Sequence, residues 1–166
     1  MKEGYYLLNE ILRELEESLH ERSRITKNMK KHIIKLIKGA EKDNEIQYKL
    51  IGYLELLRKN RNTILTCLRK TGKVLNTINE GDINNPNDIK HILSLIHTLL
   101  SYAIMVDFEN DRKILYKLIT ISKNSNKYSI LTENINDIRK DYTELKGLWR
   151  ETEKLIREIE MLIDNL

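Results

Sequence analysis

A chain of 166 residues with 40% hydrophobic and 33% charged residues has the length and composition of one globular domain. Intrinsic disorder and collagen-like structure are excluded, because disordered chains contain few apolar residues and collagen repeats glycine at every third position. The single cysteine, Cys67, has no partner for an intrachain disulfide, so a hydrophobic core has to stabilise the fold. We therefore expect residues 1–166 to form a single helical-bundle domain.

Apolar residues recur at alternating steps of three and four along four long segments, which is typical of amphipathic helices. The first segment runs from about Tyr5 to Lys38 and is followed by Gly39, a common residue just beyond a helix. The stripe predicted to be buried consists of Leu8, Leu12, Leu15, Leu19, Arg22, Thr26, Met29, Ile33 and Leu36.

The second segment begins after Asn44, whose spacing from Gln47 suits a capping box, and it ends before Gly81. Because this segment keeps one helical phase, we expect it to bury a single stripe. That stripe consists of Ile46, Leu50, Tyr53, Leu57, Asn60, Ile64, Cys67, Thr71, Val74 and Ile78.

In the third segment, Asn85 is predicted to cap a helix that starts at Pro86, since proline suits the first helical position. Its predicted stripe is Ile89, Leu93, Ile96, Leu100, Ala103, Asp107, Asn110 and Ile114. The pattern then shifts phase to Leu118 and Ile121, so a helix broken near Asp107–Asp111 also fits the sequence.

After a polar loop at Ser122–Ser129, the fourth segment keeps one phase to its last residue. Its predicted stripe is Leu131, Ile135, Ile138, Tyr142, Leu145, Trp149, Thr152, Ile156, Ile159 and Ile163. Short connections between long helices favour antiparallel neighbours. The predicted fold class is therefore all-α, an antiparallel up-down-up-down four-helix bundle with long helices.

Polar residues interrupt the apolar stripes at one height of this predicted bundle. A buried charge costs several kcal/mol unless it is paired, so we expect Arg22 to pair with Asp107 at its own level. The candidate buried polar layer consists of Arg22, Asn60, Arg61, Asp107 and Tyr142. The favoured interpretation is a layer that fixes the register of the helices. The alternative is a pocket for a small polar or anionic ligand, held by Arg22 and Arg61.

The chain lacks a complete set of residues for a metal or catalytic site. Of the two Glu-x-x-His pairs that di-iron bundles use, only Glu17 with His20 is present. Cys67 lies on a predicted buried stripe, where a lone thiol usually serves in packing, and no glycine-rich phosphate loop occurs. We expect no metal and no cofactor, and the sequence favours a protein that is not an enzyme.

Basic residues are concentrated in the first two predicted helices, with no acid between Arg22 and Lys38 or between Arg58 and Lys73. Such surfaces bind acidic proteins or the phosphate backbone of nucleic acids, or they are solvated faces that keep a lysine-rich protein soluble. The candidate basic binding face consists of Arg24, Lys27, Lys31, Lys35, Arg58 and Lys59.

The favoured function is binding of a macromolecular partner, either another protein or a second copy of the chain. The basic face would bind this partner. The uncharged stretch His91–Val106 would bind it instead where the bundle leaves that stretch exposed. The alternative is sequence-independent nucleic-acid binding by the basic faces of the first two helices, and the third hypothesis is an enzyme or ligand-binding bundle with a polar mid-bundle pocket. At sixteen residues, His91–Val106 is shorter than the roughly 20 apolar residues of a membrane span. With no signal-peptide pattern in the first residues, the expected location is the cytoplasm, without a membrane span.

Overall fold

The computed structural model describes residues 2–39, 43–80 and 85–166. Within these ranges the chain is all-helical and contains no strand, which confirms the predicted class. The helices are α1 (Lys2–Lys38), α2 (Asp43–Glu80), α3 (Pro86–Tyr102), α4 (Phe108–Ser122), α5 (Ser129–Glu133) and α6 (Ile135–Asn165). A π turn, Ala103–Asp107, joins α3 to α4, so that Pro86–Ser122 is one continuous helix.

Two helix ends follow the predicted signals. Helix α1 ends before Gly39, which has a φ of 64°, a left-handed conformation that glycine adopts without a steric penalty. Asn85 is the N-cap residue of α3 and Pro86 is the first helical residue, although the Asn85 side chain makes no capping hydrogen bond. Gly81, the predicted stop of the second helix, lies outside the described residues.

The predicted capping box at the start of α2 is wrong. Asn44 is not a cap, because the helix already begins at Asp43. The buried Gln47 acts on another helix instead. Its Oε1 accepts hydrogen bonds from the backbone N–H groups of Ile130 and Leu131, each at 3.1 Å. These are N–H groups in the first turn of α5, which have no partner within their own helix.

A continuous hydrophobic core draws residues from all the long helices. Every position of the stripe predicted for α1 is buried. In α2 every predicted position is buried except Tyr53, which packs against the core at its edge. The helical period therefore places the core faces of α1 and α2 correctly.

The helix Pro86–Ser122 changes phase at its π turn. A π turn adds one residue to the helix, so all later residues are rotated by about 100° relative to a regular α-helix. The prediction placed Asp107, Asn110 and Ile114 on the buried stripe. The structure instead buries Phe108, Asp111 and Leu115. The proposed break near Asp107–Asp111 is likewise absent, because the helix continues through this region.

In the last part of the chain the helix is interrupted at Asn134, between α5 and α6, where the prediction had a single helix. From Ile138 onwards, every second position of the stripe predicted for α6 is buried. At the positions between them, the buried residue is the one just before the predicted residue. The shared buried positions are Ile138, Leu145, Thr152 and Ile159. Where Tyr142, Trp149, Ile156 and Ile163 were predicted, the structure buries Asp141, Leu148, Leu155 and Leu162. The larger Tyr142 and Trp149 pack at the edge of the core.

Contacts between helices follow a consistent pattern. Helix α1 contacts α2, α3 and α4, and helix α6 contacts the same three helices. Among the described residues, α2 does not contact α3 or α4, and α1 does not contact α6. The expectation that each short connection joins neighbouring helices is therefore wrong for α2 and α3.

The continuous helix Pro86–Ser122 is long and apolar enough to cross a membrane by length and composition. Its most apolar stretch of 18 residues has a mean hydropathy of 1.5, and 33% of that stretch is buried inside the protein. The core helix of a globular protein can have the same length and composition, so the absence of a membrane span stays a prediction.

Deleting one residue from the π turn tests its role in setting the phase. Met105 is 75% exposed, and its deletion converts the turn into regular α-helix while Phe108, Asp111 and Leu115 keep their positions. We expect the free energy of unfolding to change by no more than about 1 kcal/mol. Deleting the exposed Lys113 rotates part of α4 out of the core and should cost more than about 4 kcal/mol.

Urea unfolding of both deletion variants, followed by circular dichroism, makes this comparison. Equal destabilisation by the two deletions would show that the π turn does not set the phase of α4.

Candidate functional site

Arg22 is the centre of the buried polar layer, and its side chain is 2% exposed. Its Nε donates to Asp111 Oδ2 at 2.5 Å, and its Nη1 donates to Asn60 Oδ1 at 3.3 Å. Asn60 Nδ2 in turn donates to the backbone oxygen of Ser18 at 2.7 Å. The guanidinium carbon lies 6.0 Å from the ring centre of Phe108. The buried charge is thus paired and hydrogen-bonded, as its burial requires.

The acid that pairs with Arg22 is Asp111, whereas the prediction named Asp107. The π turn explains the difference, since it turns Asp111 into the core and leaves Asp107 partly buried beside it. Burial raises the pKa of Asp111, and the charge of Arg22 acts in the opposite direction.

A second cluster of ion pairs joins α2 to α6. The buried Asp141 accepts hydrogen bonds from Nε and Nη2 of Arg58, both at 2.8 Å, and the hydrogen bond to Asp141 raises the pKa of Arg58. Arg61 Nη1 lies 3.6 Å from the same carboxylate, and Arg61 also pairs with Glu144. Arg61, predicted to lie in the layer, therefore sits at its edge and binds these two acids.

Tyr142 is not a member of the layer, because Asp141 takes the central position in α6. Its partly buried ring faces Lys146, whose Nζ lies 4.9 Å from the ring centre. The cavity between Arg22, Arg61 and Asp141 has a volume of about 10 Å³. One water molecule needs about that much space, so the layer has no room for a small-molecule ligand.

The structure divides the predicted basic face. Arg58 does not contribute a free charge, because Asp141 holds its guanidinium. Two other basic residues of α2 lie 3.8 Å from acids, Arg69 from Glu151 and Lys70 from Glu14. The exposed members of the predicted face are Arg24, Lys27, Lys31, Lys35 and Lys59. The positive surface thus belongs mainly to α1.

A groove of about 550 Å³ lies between α1 and α4 beside this surface. Its apolar lining consists of Ile33, Ile34, Ile37 and Ile114. Four exposed lysines also line it, which are Lys27, Lys30, Lys113 and Lys117. In the described part of the chain, none of these four has an ion pair within 4.0 Å.

Sequence reasoning missed this groove because it placed part of its lining in the core. Asp107, Asn110 and Ile114 were predicted to be buried, and the π turn brings all three to the groove. The sequence signal was the phase shift before Leu118, which marks an extra residue somewhere upstream without giving its place.

Asp107 lies between the groove and the buried layer. Burial raises its pKa to about 6, and the negative charge of Asp111 adds to this effect. The charges of Arg22 and Lys27 act in the opposite direction. Asp107 is therefore a carboxyl group that changes charge near neutral pH.

Cys67 is buried, and its Sγ donates a hydrogen bond to Glu14 Oε2 at 3.3 Å. Burial and this carboxylate raise the pKa of the thiol to about 11, so the nucleophilic thiolate is disfavoured. Over the described ranges, no group of three or more His, Cys, Asp and Glu side chains is placed to hold a metal ion.

Comparison with protein-family models, with curated proteins and with solved structures found no match to this chain.

The Arg22–Asp111 pair is tested by a double-mutant cycle. Asp111→Leu leaves Arg22 buried without its counter-charge and should lower the free energy of unfolding by about 3 to 5 kcal/mol. Adding Arg22→Met removes the uncompensated charge, so the double variant should be more stable than Asp111→Leu alone. Urea unfolding measures both. Additive losses would contradict the pairing.

The raised pKa of Asp107 makes stability depend on pH. The folded protein keeps the Asp107 proton up to about pH 6, and the unfolded chain releases it near pH 3.9, so stability falls as the pH rises between these values. Asp107→Asn should be about 1 kcal/mol more stable than the parent at pH 7, after allowance for solvent screening, and equal to it at pH 4.

Urea unfolding at both pH values checks this expectation, with the exposed Asp137→Asn as the matched control. If Asp107→Asn gave the same difference from the parent at pH 4 and pH 7, Asp107 would have an ordinary pKa.

Proposed function

We propose that the four long helices form a four-helix bundle in which α1, α2, α6 and the continuous α3–α4 helix follow one another around a ring. The helix contacts support this order, because α1 and α6 each contact α2 and the α3–α4 helix and do not contact each other in the described part of the chain. Helices packed about 10 Å apart lie about 14 Å apart across such a ring, which a short connection can cross.

The side-chain contacts support the helix directions of this bundle. Between α1 and α2, the residue numbers rise in α1 as they fall in α2, as expected for antiparallel helices. The pairs are Glu14 with Cys67, Arg22 with Asn60, and His32 with Tyr53. Between α2 and α6 both numbers rise together, as expected for parallel helices: Arg58 with Asp141, Arg61 with Glu144, and Arg69 with Glu151. Between the α3–α4 helix and α6, residue numbers fall in one helix as they rise in the other, as expected for antiparallel helices: His97 with Glu160, and Phe108 with Trp149. In the proposed bundle, successive long helices therefore run in opposite directions, and α2 and α3 stand diagonally opposite.

We further propose that the protein is a non-enzymatic bundle that binds an acidic partner protein through the basic surface of α1. The single observation that carries this proposal is the unequal pairing of the two basic segments. Arg58, Arg61 and Arg69 of α2 are within ion-pair distance of carboxylates of α6. The exposed Lys27 and Lys30 of α1 have no such partner in the described ranges. A surface of cations without ion-pair partners favours a partner of opposite charge.

A protein partner fits this surface better than a nucleic acid does. Isoleucines lie between the lysines of α1 and α4, and a phosphate backbone offers no apolar group to cover them. Single-stranded nucleic acid would need exposed aromatic rings for base stacking, and none of the described residues that line the groove is aromatic. Sequence-independent nucleic-acid binding remains the alternative, and the experiment below separates the two.

The outer face of α3 is a second candidate surface, suited to a second copy of the chain. Leu95, Tyr102 and Met105 are 43%, 57% and 75% exposed, and they lie in or next to the uncharged stretch His91–Val106. Large exposed apolar side chains at helical spacing are typical of protein interfaces. A molar mass above 19.7 kDa in solution, lowered by Tyr102→Gln, would support this surface.

Affinity capture with a charge-reversal variant tests the proposed function. Lys27→Glu/Lys31→Glu should lose its partner proteins at least tenfold, because two attractive charges become repulsive. Lys90→Glu/Lys154→Glu changes the net charge equally at exposed positions away from α1 and should retain them. Quantitative mass spectrometry after cross-linking in native-cell lysate provides the measurement.

Nuclease treatment of the same lysate separates the alternatives. Partners that survive the nuclease and depend on the α1 lysines support the proposal. Association that disappears with the nuclease, together with binding of a random duplex that weakens steeply with salt, would favour the nucleic-acid alternative. Equal capture by both charge-reversal variants would contradict the proposed surface.

A further inference from the structure

We infer that the groove between α1 and α4 receives one acidic amphipathic helix of the partner, with its apolar stripe on the isoleucines and its carboxylates on the lysines. This inference rests on the proposed function and names the form of the partner that the groove would bind. It draws on three features of the groove: its lining, its dimensions and its charge.

The lining combines two kinds of side chain in one place. Ile34 and Ile37 are 43% and 46% exposed, although they lie only one position from the buried Ile33 and Leu36. Exposed isoleucines at a three-residue spacing form an apolar strip that continues the core outward. Covering this strip removes apolar surface from water, which is the main source of affinity in helix-in-groove recognition.

The dimensions suit a short helix. On the α1 side, residues from Ser23 to Ile37 line the groove. On the α4 side, the lining residues extend from Asp107 to Lys117. At a rise of about 1.5 Å per residue, these spans are about 21 Å and 15 Å, the length of three to four helical turns. The volume of about 550 Å³ can hold several apolar side chains.

The charge distribution distinguishes the occupant. Two lysines come from each of the helices that form the groove, Lys27 and Lys30 from α1, and Lys113 and Lys117 from α4. A single-chain amphiphile such as a fatty acid carries one charge at one end, so it would leave most of these cations unmatched. An amphipathic helix with acids beside its apolar stripe presents carboxylates to both sides.

The groove exists because of the π turn. With regular α-helical phase, Asn110 and Ile114 would face the core and Lys113 would be rotated by about 100°. The inserted residue brings Asn110, Lys113 and Ile114 to the groove together. π turns are frequent at functional sites, in agreement with a binding role for this part of the helix.

Binding of designed peptides to the full-length protein tests the inference. The probe is an 18-residue helical peptide with leucines at i, i+3, i+4 and i+7 spacing, flanked by glutamates. Its matched control has the same composition and charge with the leucines scrambled around the helix. We expect the periodic peptide to bind at least tenfold more tightly than the scrambled one, as measured by fluorescence anisotropy.

Two protein variants locate the binding site. Ile34→Gln/Ile37→Gln should weaken binding of the periodic peptide about tenfold, because both side chains are exposed and the substitution removes the apolar strip without disturbing the core. Leu56→Gln, at an equally exposed leucine of α2, is the matched control and should leave binding unchanged. Circular dichroism melting curves verify that the three proteins are equally folded.

Several outcomes would overturn the inference. These are equal binding of the two peptides, absence of binding, equal weakening by the groove variant and the Leu56→Gln control, and displacement of the periodic peptide by laurate at equal concentration. Failure here is distinguishable from failure of the proposed function. Suppose that capture of the partner proteins depends on Lys27 and Lys31 but is the same for Ile34→Gln/Ile37→Gln as for the parent. The basic surface then binds the partner, and the groove does not.

Discussion

The buried guanidinium of Arg22 constrains the rest of the structure. A charged side chain that is 2% exposed needs an acid at its own height in the protein. Among the described side chains of α1 and α2, only Asn60 bonds to Arg22, and its amide carries no charge. The matching carboxylate comes from α4, where Asp111 faces Arg22. The pairing therefore fixes how the third long helix is rotated and how far it is shifted along α1.

The π turn satisfies this constraint and has a second effect at the surface. One inserted residue between α3 and α4 brings Phe108, Asp111 and Leu115 into the core. The same rotation brings Asp107 and Asn110 to the groove beside the lysines. The polar layer that stabilises the interior and the surface proposed to bind a partner thus arise from one local change in helix geometry.

The sequence predicts the all-helical class, the core faces of α1 and α2, and the presence of Arg22 and Asn60 in a buried layer. Helical period is sufficient there because each stripe keeps one phase. It fails for Asp107, since a π turn leaves no mark in composition and only displaces the pattern downstream. In α6, Asp141 and Tyr142 are adjacent and both fit steps of three and four, so only packing against α2 decides which one is buried.

The basic surface could be predicted from charge runs only in part. From composition alone, the cations of α1 and those of α2 are equally good candidates for a binding surface. In the structure, acids of α6 lie beside the cations of α2. Ion pairing across helices depends on which helices are neighbours, which the lengths of the connections do not determine. The groove was missed for the same reason, because it requires the relative rotation of α1 and α4.

The phase of α4 determines both the buried polar layer and the groove, and nuclear Overhauser effects between aromatic rings report it. The chain contains one phenylalanine and one tryptophan, so contacts between Phe108 and Trp149 are assigned without ambiguity. Their ring centres are 6.0 Å apart, so we expect strong cross-peaks between their ring protons. Absence of these cross-peaks, with a Phe108 ring accessible to solvent, would contradict this phase of α4.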